Sequence, residues 1–206
     1  MEFRAVIFDI GGVVVGSPLQ AIAAFERSHG IPPGWINFHI AGSGEHGAWA
    51  RLERGEVSLQ EFIPLFEQEC RAAGQTLDAT ALMLAVQAAT VPRPEMIRAI
   101  EVIRANGLRT GAITNNWRDE AETQRPLVAL FDAFIESARL GLRKPDPRIF
   151  TYACEQLQVA PPQAVFLDDI GRNLKTARAL GMATIKVEEP TAALSELERL
   201  LGFALR

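Results

Sequence analysis

The apolar and polar positions of this chain fall into two regimes. At the start, Ala5-Val6-Ile7-Phe8 is apolar without a break, the pattern of a strand covered on both faces in a parallel sheet. The strand is expected over Phe3 to Phe8, and Asp9-Ile10-Gly11-Gly12-Val13 forms the turn that leaves it. From residue 16 to about residue 91 the spacing becomes helical. Ser17 and Pro18 provide an N-cap and a first-position proline, and Ala21, Ile22 and Phe25 continue one stripe toward His29. Trp35, Phe38 and Ile40 mark a short helix that Gly42-Ser43-Gly44 ends. Ala48 and Leu52 mark another, and beyond Gly55 the capping box Ser58-Leu59-Gln60-Glu61 opens a helix carrying Phe62, Ile63 and Phe66. Leu77 to Ala89 is the next. No strand pattern interrupts this stretch, which reads as an all-helical insert.

Alternation of strand and helix resumes at Pro92. Met96, Ile97, Ile100 and Ile103 make a helical stripe that stops near Asn106-Gly107. Leu108 to Thr114 is a strand and Phe134 to Ser137 a weaker one. Asp146-Pro147 opens a helix through Leu157. Ala164 to Leu167 is a strand running into Asp168-Asp169; Asn173 to Leu180 is helical; Thr184 to Val187 and Thr191 to Leu201 are the last strand and helix. This alternation predicts an α/β fold, a Rossmann-like three-layer sandwich around a parallel sheet. Residues 1–15 and 92–206 would build that core, with 16–91 as a separate helical module.

Composition narrows the class. A chain of 206 residues holds one substantial core plus a small module, and 48% hydrophobic against 22% charged residues is a globular balance that excludes disorder. A net charge of −4 gives no footprint for nucleic acid. No apolar run approaches the roughly 20 residues of a membrane span, and Asp9 interrupts the first hydrophobic stretch, so neither a membrane partner nor a signal peptide is expected. Cys70 and Cys154 carry no metal-ligand spacing and read as reduced thiols, consistent with a cytoplasmic protein.

The polar residues gather at strand ends. Asp9 follows the first strand, Thr114-Asn115-Asn116 the second and Asp168-Asp169 the fourth, while Arg143-Lys144-Pro145-Asp146-Pro147 comes soon after the third. One such Asp is as readily a turn cap. Four sets on the carboxyl edge, where open α/β sheets bind ligands, make an anion site. Thr114 brings a hydroxyl, the residues after it backbone N–H groups, and Lys144 a point charge. Asp9 and Asp169 bring hard oxygen ligands that suit Mg²⁺.

With these residues in place the chain resembles the haloacid dehalogenase (HAD) superfamily from end to end. FDIGGVVV looks like its first motif, ITNN its second, RKPDP its third and FLDD its fourth. The helical insert matches a C1-type cap on a HAD-like core. FLDDIGRNLKTARALGM is especially similar to the phosphatase domain of soluble epoxide hydrolases and to the HAD domain fused to certain acyl-CoA dehydrogenases. The resemblance implies a hydrolase, most simply a phosphatase, acting on a small phosphorylated metabolite. Asp9 would form an aspartyl-phosphate, with Mg²⁺ held by Asp9, Asp169 and the Gly11 carbonyl. Thr114, Asn115 and Lys144 would hold the phosphoryl group. Asp168 would orient Lys144 or a metal-bound water, and Asn173 either assists from behind or is simply a polar residue in a helix's first turn.

One position departs from the pattern. Phosphatases of this superfamily usually carry a second Asp two residues after the nucleophile, as general acid and base; here that residue is Gly11. Such assistance is worth roughly 10²–10⁴-fold in rate. Three outcomes follow: a substrate whose leaving group needs little protonation (an acyl, aryl or anomeric phosphate), a proton from His39, Glu45 or His46 of the helical module, or a phosphate-binding module that has lost turnover. Dehalogenation is the weaker alternative, since 2-haloacid dehalogenases typically place an aromatic residue before the glycine of the first motif. Trp35, Phe38 and Trp49 are either core or the walls of an apolar pocket, and exposed aromatics on a cap helix would allow two subunits to pair.

Overall fold

The computed structural model describes residues 2–118 and 125–205, so 119–124 and 206 of the expected 92–206 core lie outside the described residues. Five strands form one sheet: β1 (Ala5–Phe8), β2 (Arg109–Thr114), β3 (Ala133–Glu136), β4 (Ala164–Asp168) and β5 (Ala183–Lys186). They lie in the order β3-β2-β1-β4-β5, every neighbouring pair parallel. Strand β1 is central because it is apolar at every position and 0% exposed throughout. Its register sets Phe8 opposite Ala112 on one side and Leu167 on the other. The chain builds outward from β1 to β3, then returns to lay β4 on the opposite side of β1. The carboxyl ends of β1, β2 and β4 therefore flank a topological switch point.

Helices cover both faces. On one, Val6, Phe8, Val165 and Leu167 pack against Met96, Ile100 and Ile103 of α6 (Pro94–Ala105) and Leu194 and Leu197 of α11 (Pro190–Leu201). On the other, Ile7, Ile113 and Phe166 meet Ile149, Phe150 and Leu157 of α9 (Pro147–Leu157) and Leu174 of α10 (Gly171–Ala179). Burying each such side chain contributes about 1.5–3 kcal/mol, and this is what holds the three layers together. The short helices α7 (Arg125–Val128) and α8 (Ser137–Leu140) complete this part. Ser137 begins α8 rather than extending β3 as the sequence reading had it. Its buried hydroxyl accepts the Asn116 N–H at 2.9 Å and ties the ends of β2 and β3 together.

Between β1 and α6 come five helices: α1 (Pro18–Ser28), α2 (Trp35–Gly42), α3 (Ala48–Glu53), α4 (Leu59–Ala72) and α5 (Ala79–Ala88). Their starts follow from local chemistry. Ser17 caps α1 with Pro18 at its first position, Ser58 and Glu61 form the reciprocal box at α4, and Asp78 caps α5. These helices share a cluster distinct from the two sheet faces, in which Phe62 stacks on Phe66 at 5.1 Å and Trp49 meets both edge-on. Trp117, from the loop after β2, is the outside residue that joins it. Among the described residues no helix is long and apolar enough to cross a membrane.

Candidate active site

The site assembles around Lys144. Its side chain is 1% exposed, and its ammonium donates to Asp9 Oδ1 at 2.7 Å and to Asp168 Oδ2 at 2.9 Å. Asp9 stands one residue beyond β1, with its Oδ1 also accepting the Ile10 N–H at 2.6 Å. Asp168 ends β4 with both oxygens occupied: Oδ1 accepts the Ile170 N–H at 2.7 Å, and the Asn173 amide donates to Oδ1 and Oδ2 at 3.1 and 3.0 Å. Asp169 closes the group, one carboxylate oxygen from each of Asp9, Asp168 and Asp169 lying within 4.8 Å of the others.

Asn115 fixes the backbone that carries Lys144. Its Oδ1 accepts the Lys144 N–H at 2.8 Å, and its Nδ2 donates to the Lys144 carbonyl at 3.1 Å. Thr114, the buried last residue of β2, stands beside it. Gly12 lets the β1 loop approach: its φ is +81°, and a Cβ there would lie 2.2 Å from Asp169 Oδ2. Gly11 is different. A Cβ on Gly11 would meet the Pro18 ring at 3.0 Å, so the first residue of α1 would have to give by a few tenths of an ångström to admit a side chain.

Burial governs the electrostatics. It pushes the Asp9 carboxyl well above the usual range; Lys144 pulls the other way, while Asp168 and Asp169 add to the push. Asp169 is raised to about 6, first by burial and then by Asp168. Burial alone would lower Lys144, but the charges of Asp168 and Asp9 outweigh it and hold the ammonium above its ordinary value.

Over this floor lies a cleft of about 410 Å³, roofed by α1, α2, α3 and α5. Asp9, Gly11, Thr114, Asn115, Lys144, Asp169 and Asn173 all line it, while Asp168 sits behind Lys144. Asn173 is 2% exposed, and its Oδ1 has no hydrogen-bond partner among the described residues. The roof is mainly apolar: Leu19, Ile22, Ile40, Trp49 and Val86.

The alternatives left open for the helical module divide in the structure. His39, Glu45 and His46 do not line the cleft. The His39 ring stacks on Trp35 at 5.0 Å, Glu45 pairs with Arg54 at 2.8 Å, and His46 is exposed. Of the three aromatics, only Trp49 faces the cleft; Trp35 holds His39, and Phe38 is 79% exposed on the outer side of α2. The acid that does reach the cleft, Glu53, is one that sequence reasoning missed. In sequence it is one more Glu in an amphipathic helix, and only the seating of α3 against the loop of Arg143 gives it a place.

A family model described as haloacid dehalogenase-like hydrolase matches residues 3–181. The chain is 40% identical over 209 residues to acyl-CoA dehydrogenase family member 10 of Mus musculus, an alignment covering 99% of this chain and 20% of that protein. It is 32% identical over 225 residues to bifunctional epoxide hydrolase 2 of Sus scrofa, covering 100% of this chain and 40% of that protein, so it spans less than half the length of either. A sesquiterpene phosphatase of Aspergillus oryzae is 24% identical over 204 residues, with 97% of each chain covered. Among solved structures, a HAD family enzyme of Bacteroides thetaiotaomicron in complex with magnesium and inorganic phosphate superposes with a TM-score of 0.64 at 17% identity. That match covers 89% of this chain and 93% of the other, and at that identity the likeness is one of fold.

Proposed function

The chain belongs to the haloacid dehalogenase-like hydrolases, and from that membership we propose that it is a Mg²⁺-dependent phosphatase acting on small phosphorylated substrates through Asp9. The observation that carries this reading is the buried Lys144 ammonium, bonded to Asp9 at 2.7 Å and Asp168 at 2.9 Å on the floor of the cleft. Asp9 is the carboxylate placed to attack phosphorus: its oxygen forms the new P–O bond as the bond to the leaving group breaks, and water later returns Asp9 as a carboxylate. Lys144 and Thr114 line the same cleft and would hold the equatorial oxygens, where the charge of the transferring group lies. Asn115 keeps the Lys144 backbone in place. Phosphatase names among the relatives support the same reading.

The donor set fits a divalent cation. Three carboxylates face one ammonium at close range, an excess of negative charge that burial makes costly; Asp9 and Asp169 meet that cost by raised proton affinity. Asp9, Asp169 and the Gly11 carbonyl would hold Mg²⁺, and Asp168, its oxygens already bonded to Lys144, Ile170 and Asn173, would not. When bound, the ion neutralises charge between the carboxylates and the incoming phosphate.

Leaving-group chemistry follows from Gly11. Residue 11 carries no acid and the Pro18 ring crowds its Cα, while Glu53 is held by Trp49, Asn115 and Arg143. Phosphates of acidic leaving groups (acyl, aryl or anomeric) are therefore the substrates of choice, and the apolar roof suits an apolar body. In a panel assayed with and without Mg²⁺, aryl or acyl phosphates are expected to turn over about 10²-fold faster than simple alkyl phosphates. Equal rates for the two classes would contradict this. Glycine at residue 11, in place of an acid, also favours a second reading, a phosphate-binding module without turnover; Mg²⁺-dependent phosphate binding with no phosphate release from any class would establish it.

A further inference from the structure

Glu53 stands where the helical module touches the phosphate-holding loops. It ends α3, and its Oε2 lies 3.2 Å from Arg143 Nη1, the two side chains being only 13% and 7% exposed. The same oxygen accepts from Asn115 Nδ2 at 3.2 Å, and Oε1 accepts the Trp49 indole N–H at 3.0 Å, one turn back on the helix. Two residues further on, Gly55 has φ +67°, and a Cβ there would lie 2.3 Å from the Ala138 carbonyl oxygen. The turn after α3 thus rests on the backbone of α8, which fixes how far Glu53 reaches.

We propose that Glu53 is a positioning residue that links the seating of α3 to the placement of Lys144, an inference that rests on the phosphatase reading of Asp9. The contacts run in one direction. Trp49 fixes the Glu53 carboxylate; Glu53 holds one N–H of the Asn115 amide and the Arg143 guanidinium; Asn115 grips the Lys144 peptide at both its N–H and its carbonyl; Lys144 bonds Asp9. With α3 unseated, Arg143 loses its carboxylate partner and the Asn115 amide loses an acceptor, so the working arrangement of the Arg143-Lys144 loop requires the helical module in place. A side chain in this role sets rate rather than affinity, because the groups it aligns act on the reacting phosphoryl group.

The test measures steady-state hydrolysis of an aryl phosphate with Mg²⁺ by the unmodified chain, Glu53→Gln, Arg143→Gln, the double variant, Asp9→Asn, and Glu56→Gln as an exposed control. Glu53→Gln is nearly isosteric but replaces an acceptor-only group that faces three donors, Trp49, Asn115 and Arg143. It is expected to lower kcat about tenfold or more while KM changes by less than about threefold. Arg143→Gln is expected to do the same, the double variant to be no slower than the slower single one, and Glu56→Gln to match the unmodified chain. A Glu53→Gln kcat within about twofold of the unmodified chain, or losses that multiply in the double variant, would overturn the positioning role while a silent Asp9→Asn left the phosphatase reading standing. Turnover that survives Asp9→Asn would overturn that reading and this inference with it.

Discussion

At the scale of residues, the charge state of the site is set first by burial of its carboxyls and then by their crowding. Asp169 is the clearest case, its carboxyl raised to about 6 by burial and by Asp168. Because the folded-state value lies above the unfolded 3.8, the folded protein keeps a proton there that the unfolded chain has already lost. Stability of the metal-free protein therefore falls as pH rises from about 4 toward about 6, and Asp9, shifted in the same direction, adds to the fall. Mg²⁺ takes the ionised carboxylates, so its stabilisation is expected to grow as pH rises through this range. Thermal midpoints with and without Mg²⁺ at about pH 5 and pH 7 measure it. A larger Mg²⁺ increment at the lower pH would show that Asp9 and Asp169 do not hold the ion. The floor residues were legible from sequence because each follows directly on a strand or motif: Asp9 after β1, Thr114 at the end of β2, Asp169 after β4. Glu53 was not, since its partners Asn115 and Arg143 are remote in the chain and no local pattern marks their meeting.

At the scale of elements, the start of α1 shapes the site as much as the catalytic loops do. Pro18 opens that helix and its ring abuts Gly11, so restoring an acid at residue 11 is more than a single substitution. Gly11→Asp alone is expected to leave alkyl phosphate turnover unimproved, because the new side chain must displace the ring. Gly11→Asp combined with Pro18→Ala opens that space and is expected to raise alkyl phosphate turnover by about tenfold or more, part of the roughly 10²–10⁴-fold that general acid catalysis supplies. If Gly11→Asp alone gives the full gain, the ring is no obstacle. The helices opened by Ser17, Ser58 and Asp146 were readable to within a residue or two, because these caps are local signals that the tertiary structure leaves intact. The turn of Ser137 into α8 was not, because it depends on a buried hydrogen bond from the Asn116 N–H in the loop after β2.

At the scale of the whole molecule, a strand-end floor and a helical roof with its own hydrophobic cluster enclose the cleft, and Trp117 and the Glu53–Arg143 pair join the two. The α/β alternation and the helical stretch between the first strand and Pro92 were visible in the spacing of apolar residues alone. Which helical side chains would face the floor was not, because residues of one amphipathic helix choose between core, cleft and solvent only once the helices pack. Trp49, Trp35 and Phe38 divide in that way. The central claim is that Asp9 is the atom donor to phosphorus within this enclosure. Acid-quenching the protein during turnover of an acyl phosphate, followed by peptide mass spectrometry, tests it most directly. A phosphoryl group on Asp9 that appears with Mg²⁺, and is lost in Asp9→Asn, is the result expected; phosphate released with no such adduct, or an adduct on another residue, would contradict it.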